Sequence, residues 1–200
     1  MSYAIVGFGK IGQALAHAFA RNNIDVSVAS RRPPDELAPH ARAIGPTVVA
    51  RSLKEALKAD TIFLAVPFEQ HRDVAKALPN WKGKTIIDVT NAFGVPPEDL
   101  DGLPSSAFVA KSMPGAKVVK AFNHLAAATL AADPIVEGGH RVVFLSSDDE
   151  DAVDPVADLA KQLGFAPVKL GKFNEGGALV HARGRTWGQL IFQDVFKQQQ

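Results

Sequence analysis

The chain has 200 residues, of which 46% are hydrophobic and 22% charged, with a formal net charge of +1. That size and balance suit one globular core and argue against wholesale disorder, and the scattered basic residues give no footing for nucleic acid or an anionic membrane as partner. With no cysteine, disulfides, thiolate metal sites and cysteine nucleophiles are excluded.

The N-terminal run Met1-Ser2-Tyr3-Ala4-Ile5-Val6-Gly7 has no basic segment ahead of an apolar stretch, so it reads as a strand that begins at once and not as a signal peptide. No run approaches the roughly 18 apolar residues that span a bilayer, and a cytoplasmic location is expected. β-Branched runs bounded by Gly, Pro, Asn or Asp predict strands at Ala4–Val6, Val26–Ala29, Val48–Ala50, Thr61–Val66, Thr85–Val89, Ala116–Val119, Arg141–Leu145 and Pro167–Leu170. Helical patterns fall between them at Ile11–Arg21, Pro34–Ala43, Leu53–Lys58, Glu69–Leu78, Leu125–Ala131 and Glu150–Leu163. Ser52, with Glu55 three residues on, predicts an N-cap, and Asp148-Asp149-Glu150-Asp151 places negative charge at a helix start. Asn91 to Lys111, with Pro96-Pro97 and Pro104, reads as one long irregular connection. From Phe173 onward Gly176-Gly177, Gly184 and Gly188 separate short helical pieces, which predicts a helical flap over residues 173–200.

Alternating strands and helices with near-continuous apolar strands predict an α/β fold. The expectation is a Rossmann-type, doubly wound, mostly parallel eight-stranded sheet forming a single domain over residues 1–200.

Gly7-Phe8-Gly9-Lys10-Ile11-Gly12 is a G-x-G-x-x-G that follows the first strand and opens a helix. Gly7 permits the tight turn, Gly9 the close approach of a pyrophosphate, and Gly12 the packing of helix on strand. Phe8, Lys10 and Ile11 belong to the same phosphate-binding turn. An NAD site carries Asp or Glu at the end of the second strand to accept from the ribose 2′-hydroxyl. Here that position runs into Ser30-Arg31-Arg32, a hydroxyl and two guanidiniums suited to a 2′-phosphate, so NADP(H) is the expected cofactor. Later strand ends add Ala65, Val66, Pro67 and Ala121 as neighbours of a nicotinamide ring. Asn91 and Asn123 are either binders of its carboxamide or substrate, or turn residues. Phe122 and His124 complete a candidate substrate wall, with His124 either a proton donor or a locally bonded helix-start residue. Lys120 either reaches into the site or anchors a neighbouring carboxylate, and Asp88, at the end of a buried strand, is expected to satisfy backbone donors. His17, His40, His71, His140 and His181 show no metal-ligand spacing, so no metal is expected. Trp187, Phe192 and Phe196 at helical spacing read as core or as a homodimer interface.

Several of these blocks together resemble the NADPH-dependent reductases typified by NADP:coenzyme F420 oxidoreductase, a deazaflavin enzyme. The dinucleotide domain of six-transmembrane metalloreductases belongs to the same group. The likeness is carried by Gly7–Gly12, Ser30-Arg31-Arg32, Ala65-Val66-Pro67, Asp88-Val89-Thr90-Asn91, the run from Pro114 to Asn123, and Leu163-Gly164-Phe165. It implies direct hydride transfer between NADP(H) and a flavin-like, deazaflavin or other small redox acceptor, with no side chain required as acid or base. It also implies contacts from Gly9, Ser30, Arg31 and Ala121 at the NADP face. The other functional class open to such a sequence is an NADP(H)-binding sensor or regulatory module without turnover.

Overall fold

The computed structural model describes residues 1–180. Strands β1 (Tyr3–Val6), β2 (Val26–Ala29), β3 (Val48–Ala50), β4 (Thr61–Leu64), β5 (Thr85–Asp88) and β6 (Lys117–Lys120) form one parallel sheet in the order β3-β2-β1-β4-β5-β6. Helices α1 (Lys10–Arg21), α2 (Pro34–Ile44), α3 (Leu53–Ala56), α4 (His71–Ala75), α5 (Ser105–Ser112), α6 (Ala127–Ala131) and α7 (Glu150–Gln162) make the crossovers and cover both faces. This is the doubly wound Rossmann arrangement, whose strand order reverses between β1 and β4.

The period of two along each strand sorts the core into two layers. Ile5, Phe63, Ile87 and Val119 face one side with α1 and α7, while Ala4, Val6, Ile62, Leu64, Ile86 and Val118 face the other with Trp81. Every residue of β4 is buried, as its unbroken apolar run requires. Each such Ile, Phe or Leu side chain contributes about 1.5–3 kcal/mol to the folded state. A row of rings crosses the first layer: Tyr3 to Phe19 at 5.4 Å, Phe19 to Phe63 at 5.4 Å, Phe63 to Phe122 at 5.6 Å and Phe122 to Phe165 at 5.7 Å between centroids. The Ser52 cap is a full capping box with Glu55, and the acidic run opens α7 with Asp149 as N-cap.

The structure corrects the expected eight-stranded sheet. The last two predicted strands form, as β9 (Val142–Leu145) and β10 (Ala166–Lys169), but they pair in parallel with each other as a separate ribbon. A single antiparallel bridge, Lys120 with Ser146, joins this ribbon to β6. The ladder stops there because side chains occupy the edge of β6. Ser147 Oγ donates to the Val118 carbonyl at 2.6 Å, and the Val118 N–H donates to the Asp149 carboxylate at 3.4 Å. A short hairpin, β7 (Ile135–Val136) with β8 (Gly139–His140), was not expected; it turns on Glu137 and Gly138, both at positive φ. The predicted irregular connection also holds more structure than expected, namely a 3-10 turn at Pro97–Leu100 and α5. Of the C-terminal flap, a 3-10 turn at Gly176–Val180 is seen. The rest, including Trp187, Phe192, Phe196 and the homodimer interface read there, lies outside the described residues.

Candidate functional site

In open α/β sheets ligands lie beyond the carboxyl ends of the strands at the point where the order reverses. A cleft of about 490 Å³ opens at that place here, lined by residues from the ends of β1, β2 and β4. Gly7, Phe8, Gly9, Ser30, Arg31, Arg32, Ala65, Val66 and Pro67 all face it, so the structure brings most of the sequence-predicted cofactor residues together.

The local geometry follows from the glycines. Gly7 sits at φ +101°, its N–H donating to Ala29 O at 2.8 Å, and a Cβ there would lie 2.3 Å from Ala65 O. Gly12 packs α1 onto the turn so closely that a Cβ would lie 1.9 Å from Gly7 O. Gly9 is different: a Cβ there would meet nothing within 4 Å. It is also the N-cap of α1 with no side-chain cap bond, and the helix ladder begins only at Gln13 N–H to Gly9 O, 2.9 Å. The amides of Lys10, Ile11 and Gly12 therefore stand ahead of the ladder at the positive end of a twelve-residue helix. Open space over Gly9 and uncapped donors beside it fit a phosphate group.

At the end of β2, Ser30 Oγ accepts from the Arg32 N–H at 3.0 Å, which folds the Ser30-Arg31-Arg32 turn so that both exposed arginines border the cleft. No carboxylate stands at the end of β2. Sequence reasoning missed Val6, Leu53, Gln70, Asp73 and Val74, which also line the cleft. Gln70, Asp73 and Val74 sit on the turn and helix that follow β4, and the rule that elements after a ligand-facing strand end border the site was the signal for them.

The ends of β5 and β6 make a second cluster that does not border this cleft. Asn91 Nδ2 donates to Asn123 O at 2.8 Å, and Asn123 Nδ2 donates to Asn91 Oδ1 at 3.0 Å and to Val180 O at 2.7 Å. The two amides thus hold each other and tie down the chain at Val180, while Asn123 Oδ1 is buried without a partner among the described residues. Ala121 and Phe122 are fully buried. Phe122 stands at φ +60°, a left-handed conformation that a bulky residue adopts only under constraint, here the packing of its ring between Phe63 and Phe165. Lys120 proves to be an anchor. It is fully buried and 3.1 Å from Asp88 Oδ2, and it also donates to Thr90 O. Asp88 accepts from Thr90 N–H at 2.9 Å, Thr90 Oγ1 at 2.7 Å and Ser106 Oγ at 2.7 Å. Burial pushes the Asp88 pKa up, but Lys120 and these donors outweigh it and hold the carboxyl below its ordinary value.

His124 is half-buried, its Nε2 3.2 Å from Val142 O and its ring 5.0 Å from Phe144. Burial lowers its pKa to about 4 against the pull of the Val142 carbonyl, so it is neutral at pH 7. An unfolded chain takes up that proton near pH 6.5, whereas the folded one resists it until about pH 4. Stability is therefore expected to fall by a few kcal/mol as pH drops from about 6.5 to 4. The urea midpoint measured across that window should decline in the native chain, and the decline should be shallower in His124→Gln. Among the described residues no cluster of His, Asp and Glu could hold a metal ion, and no helix is long and apolar enough to cross a membrane.

Comparison with known proteins finds relatives across most of the chain. Residues 2–92, which carry the glycine turn and the ends of β1 to β5, match the family model described as NADP oxidoreductase coenzyme F420-dependent. A solved hypothetical protein from Sinorhizobium meliloti is 43% identical over 90% of both chains, with a TM-score of 0.86. An Arthrobacter structure provisionally described as an F420-dependent NADP-reductase is 26% identical over 86% of this chain and 85% of that one, with a TM-score of 0.69. Metalloreductase STEAP3 of Rattus norvegicus is 29% identical over 84% of this chain. The chain spans about a third of the length of the curated metalloreductases it matches. The chain thus shares a family with the Sinorhizobium meliloti protein, and over residues 2–92 it resembles the NADP-dependent oxidoreductases that include the coenzyme F420-dependent enzymes.

Proposed function

We propose that the protein binds NADP(H) in the cleft between β1, β2 and β4 and passes a hydride to a flavin-like, deazaflavin or other small redox acceptor. The observation that carries the reading is the meeting of the glycine turn and Ser30-Arg31-Arg32 in one cleft, with no carboxylate at the end of β2. The uncapped amides of α1 would hold the pyrophosphate, and Ser30, Arg31 and Arg32 the 2′-phosphate. Ala65, Val66 and Pro67 would keep water from the nicotinamide end. When bound, the nicotinamide supplies the hydride chemistry, and the protein's part is orientation and exclusion of solvent. With His124 neutral and bonded to Val142, an acceptor that brings its own redox centre fits best. Asn91 and Asn123 act in this reading by positioning the chain near Val180 against the acceptor end.

Two glycine substitutions separate the roles within the turn. Gly9→Ala should leave thermal stability within about 0.5 kcal/mol, since its Cβ meets open space, yet weaken NADPH binding at least tenfold by entering the phosphate path. Gly12→Ala should instead unfold at markedly lower temperature, because its Cβ collides with Gly7 O. Calorimetric melting and NADPH titration of both variants read these outcomes. The catalytic reading is tested by NADPH oxidation with a panel of flavins, deazaflavins and quinones. Steady turnover with at least one supports it. Tight NADPH binding with no turnover on any of them would leave a cofactor-sensing module in its place.

A further inference from the structure

A cleft that receives a pyrophosphate and a 2′-phosphate is an unexpected place for a carboxylate, yet Asp73 lines it beside Gln70, Leu53 and Val74. Among the described residues Asp73 is held only by Lys76 one helical turn away, Nζ to Oδ1 3.1 Å, with both side chains 77% exposed. A pair of that kind is worth little and yields readily to another partner. The other charged residues that line the cleft are Arg31 and Arg32.

The position of Asp73 relative to the other lining residues suggests its use. If the glycine turn takes the pyrophosphate and Ser30-Arg31-Arg32 the 2′-phosphate, the wall left over must meet the purine. That wall consists of Leu53 at the start of α3 and of Gln70, Asp73 and Val74 after β4. Leu53 and Val74 offer apolar surface to a flat base. An ionised carboxylate accepts hydrogen bonds and donates none. Adenine presents an exocyclic amino group, a donor, whereas hypoxanthine presents a carbonyl oxygen at the same position. A site built to accept from an amino group rejects the analogue lacking it, because two acceptors are then forced together.

We propose that Asp73 is a specificity-determining residue that reads the 6-amino group of the adenine ring, so that the cleft selects adenine over hypoxanthine dinucleotides. This rests on the NADP(H) reading above and adds to it a residue and a discrimination. The test is calorimetric titration of the full chain with NADPH and with its deaminated analogue, reduced nicotinamide hypoxanthine dinucleotide phosphate. The native chain should prefer NADPH by about tenfold or more, as expected for one hydrogen bond to a charged group. Asp73→Asn, which can donate as well as accept, should bring the two affinities to within about threefold. Lys76→Ala should keep the preference, which separates base reading from loss of the ion pair. Equal binding of both dinucleotides by the native chain, or an undiminished preference in Asp73→Asn, would overturn the proposal while leaving the NADP(H) site standing. Failure to bind either dinucleotide would overturn the cofactor reading and this proposal with it.

Discussion

Replacing Arg31 and Arg32 together by alanine is expected to weaken NADPH binding by about two orders of magnitude and to leave NADH within about threefold. Each guanidinium removed costs a charge-assisted hydrogen bond worth about 1.5–3 kcal/mol, and two of them reach a factor of 100 or more. NADH lacks the phosphate and has nothing comparable to lose. Both side chains are exposed at the rim of the cleft, so the fold should be indifferent to the change. Titration with both dinucleotides, alongside a melting curve, checks each part. Equal losses for NADPH and NADH would refute the 2′-phosphate assignment. Raising the salt concentration should weaken the native chain's hold on NADPH and affect the double variant much less.

The second large effect concerns stability. Asp88→Ala should destabilise the protein by about 3–5 kcal/mol, because it strands the Lys120 ammonium in a fully buried site. For a chain of this size the melting temperature would drop by on the order of 10 °C. Lys120→Met in the Asp88→Asn background should recover part of the loss, since a neutral pair leaves no uncompensated charge. Lys169→Ala, which removes the exposed partner of Asp154, should change stability by under about 1 kcal/mol. The Asp88 carboxyl titrates below its ordinary range. Its contribution is therefore complete above the pKa of an unfolded aspartate and is lost only as pH falls through the lower folded value.

The six strands of the main sheet were legible in the sequence because buried parallel strands leave an unmistakable mark: Ile62, Phe63 and Leu64 have no polar neighbour to alternate with. The glycine turn was legible for a related reason, as backbone contacts at 1.9 Å and 2.3 Å admit no side chain at Gly12 and Gly7. Helix α5 was hidden by the prolines before it, since Pro96, Pro97 and Pro104 signal irregular chain although Pro104 in fact sits at the N-cap. Why the main sheet ends at β6 was hidden too, because that depends on Ser147 and Asp149 reaching back some thirty residues to Val118. Within the site, Ser30-Arg31-Arg32 declared itself by offset from the glycines. Asp73 did not, as one exposed aspartate on a short helix resembles any other until the cleft shows what it faces. Asn91 and Asn123 were recognised as a pair of interest, but that each is the other's partner is a matter of distance in space alone.

The row of rings from Tyr3 to Phe165 has a consequence for where this protein can be divided. Backbone hydrogen bonding between the main sheet and the β9–β10 ribbon rests on one bridge, which would suggest two halves that melt apart. The aromatic chain contradicts that picture, for Phe63 in the middle of the sheet leans on Phe122, and Phe122 on Phe165 beside the ribbon. A fragment cut at residue 92, where the family-model match ends, would leave Phe63 without the Phe122 ring that covers it and α1 without α6. Such a fragment should collect in inclusion bodies when expressed alone, and proteolytic nicking in the intervening loops should release no stable N-terminal core.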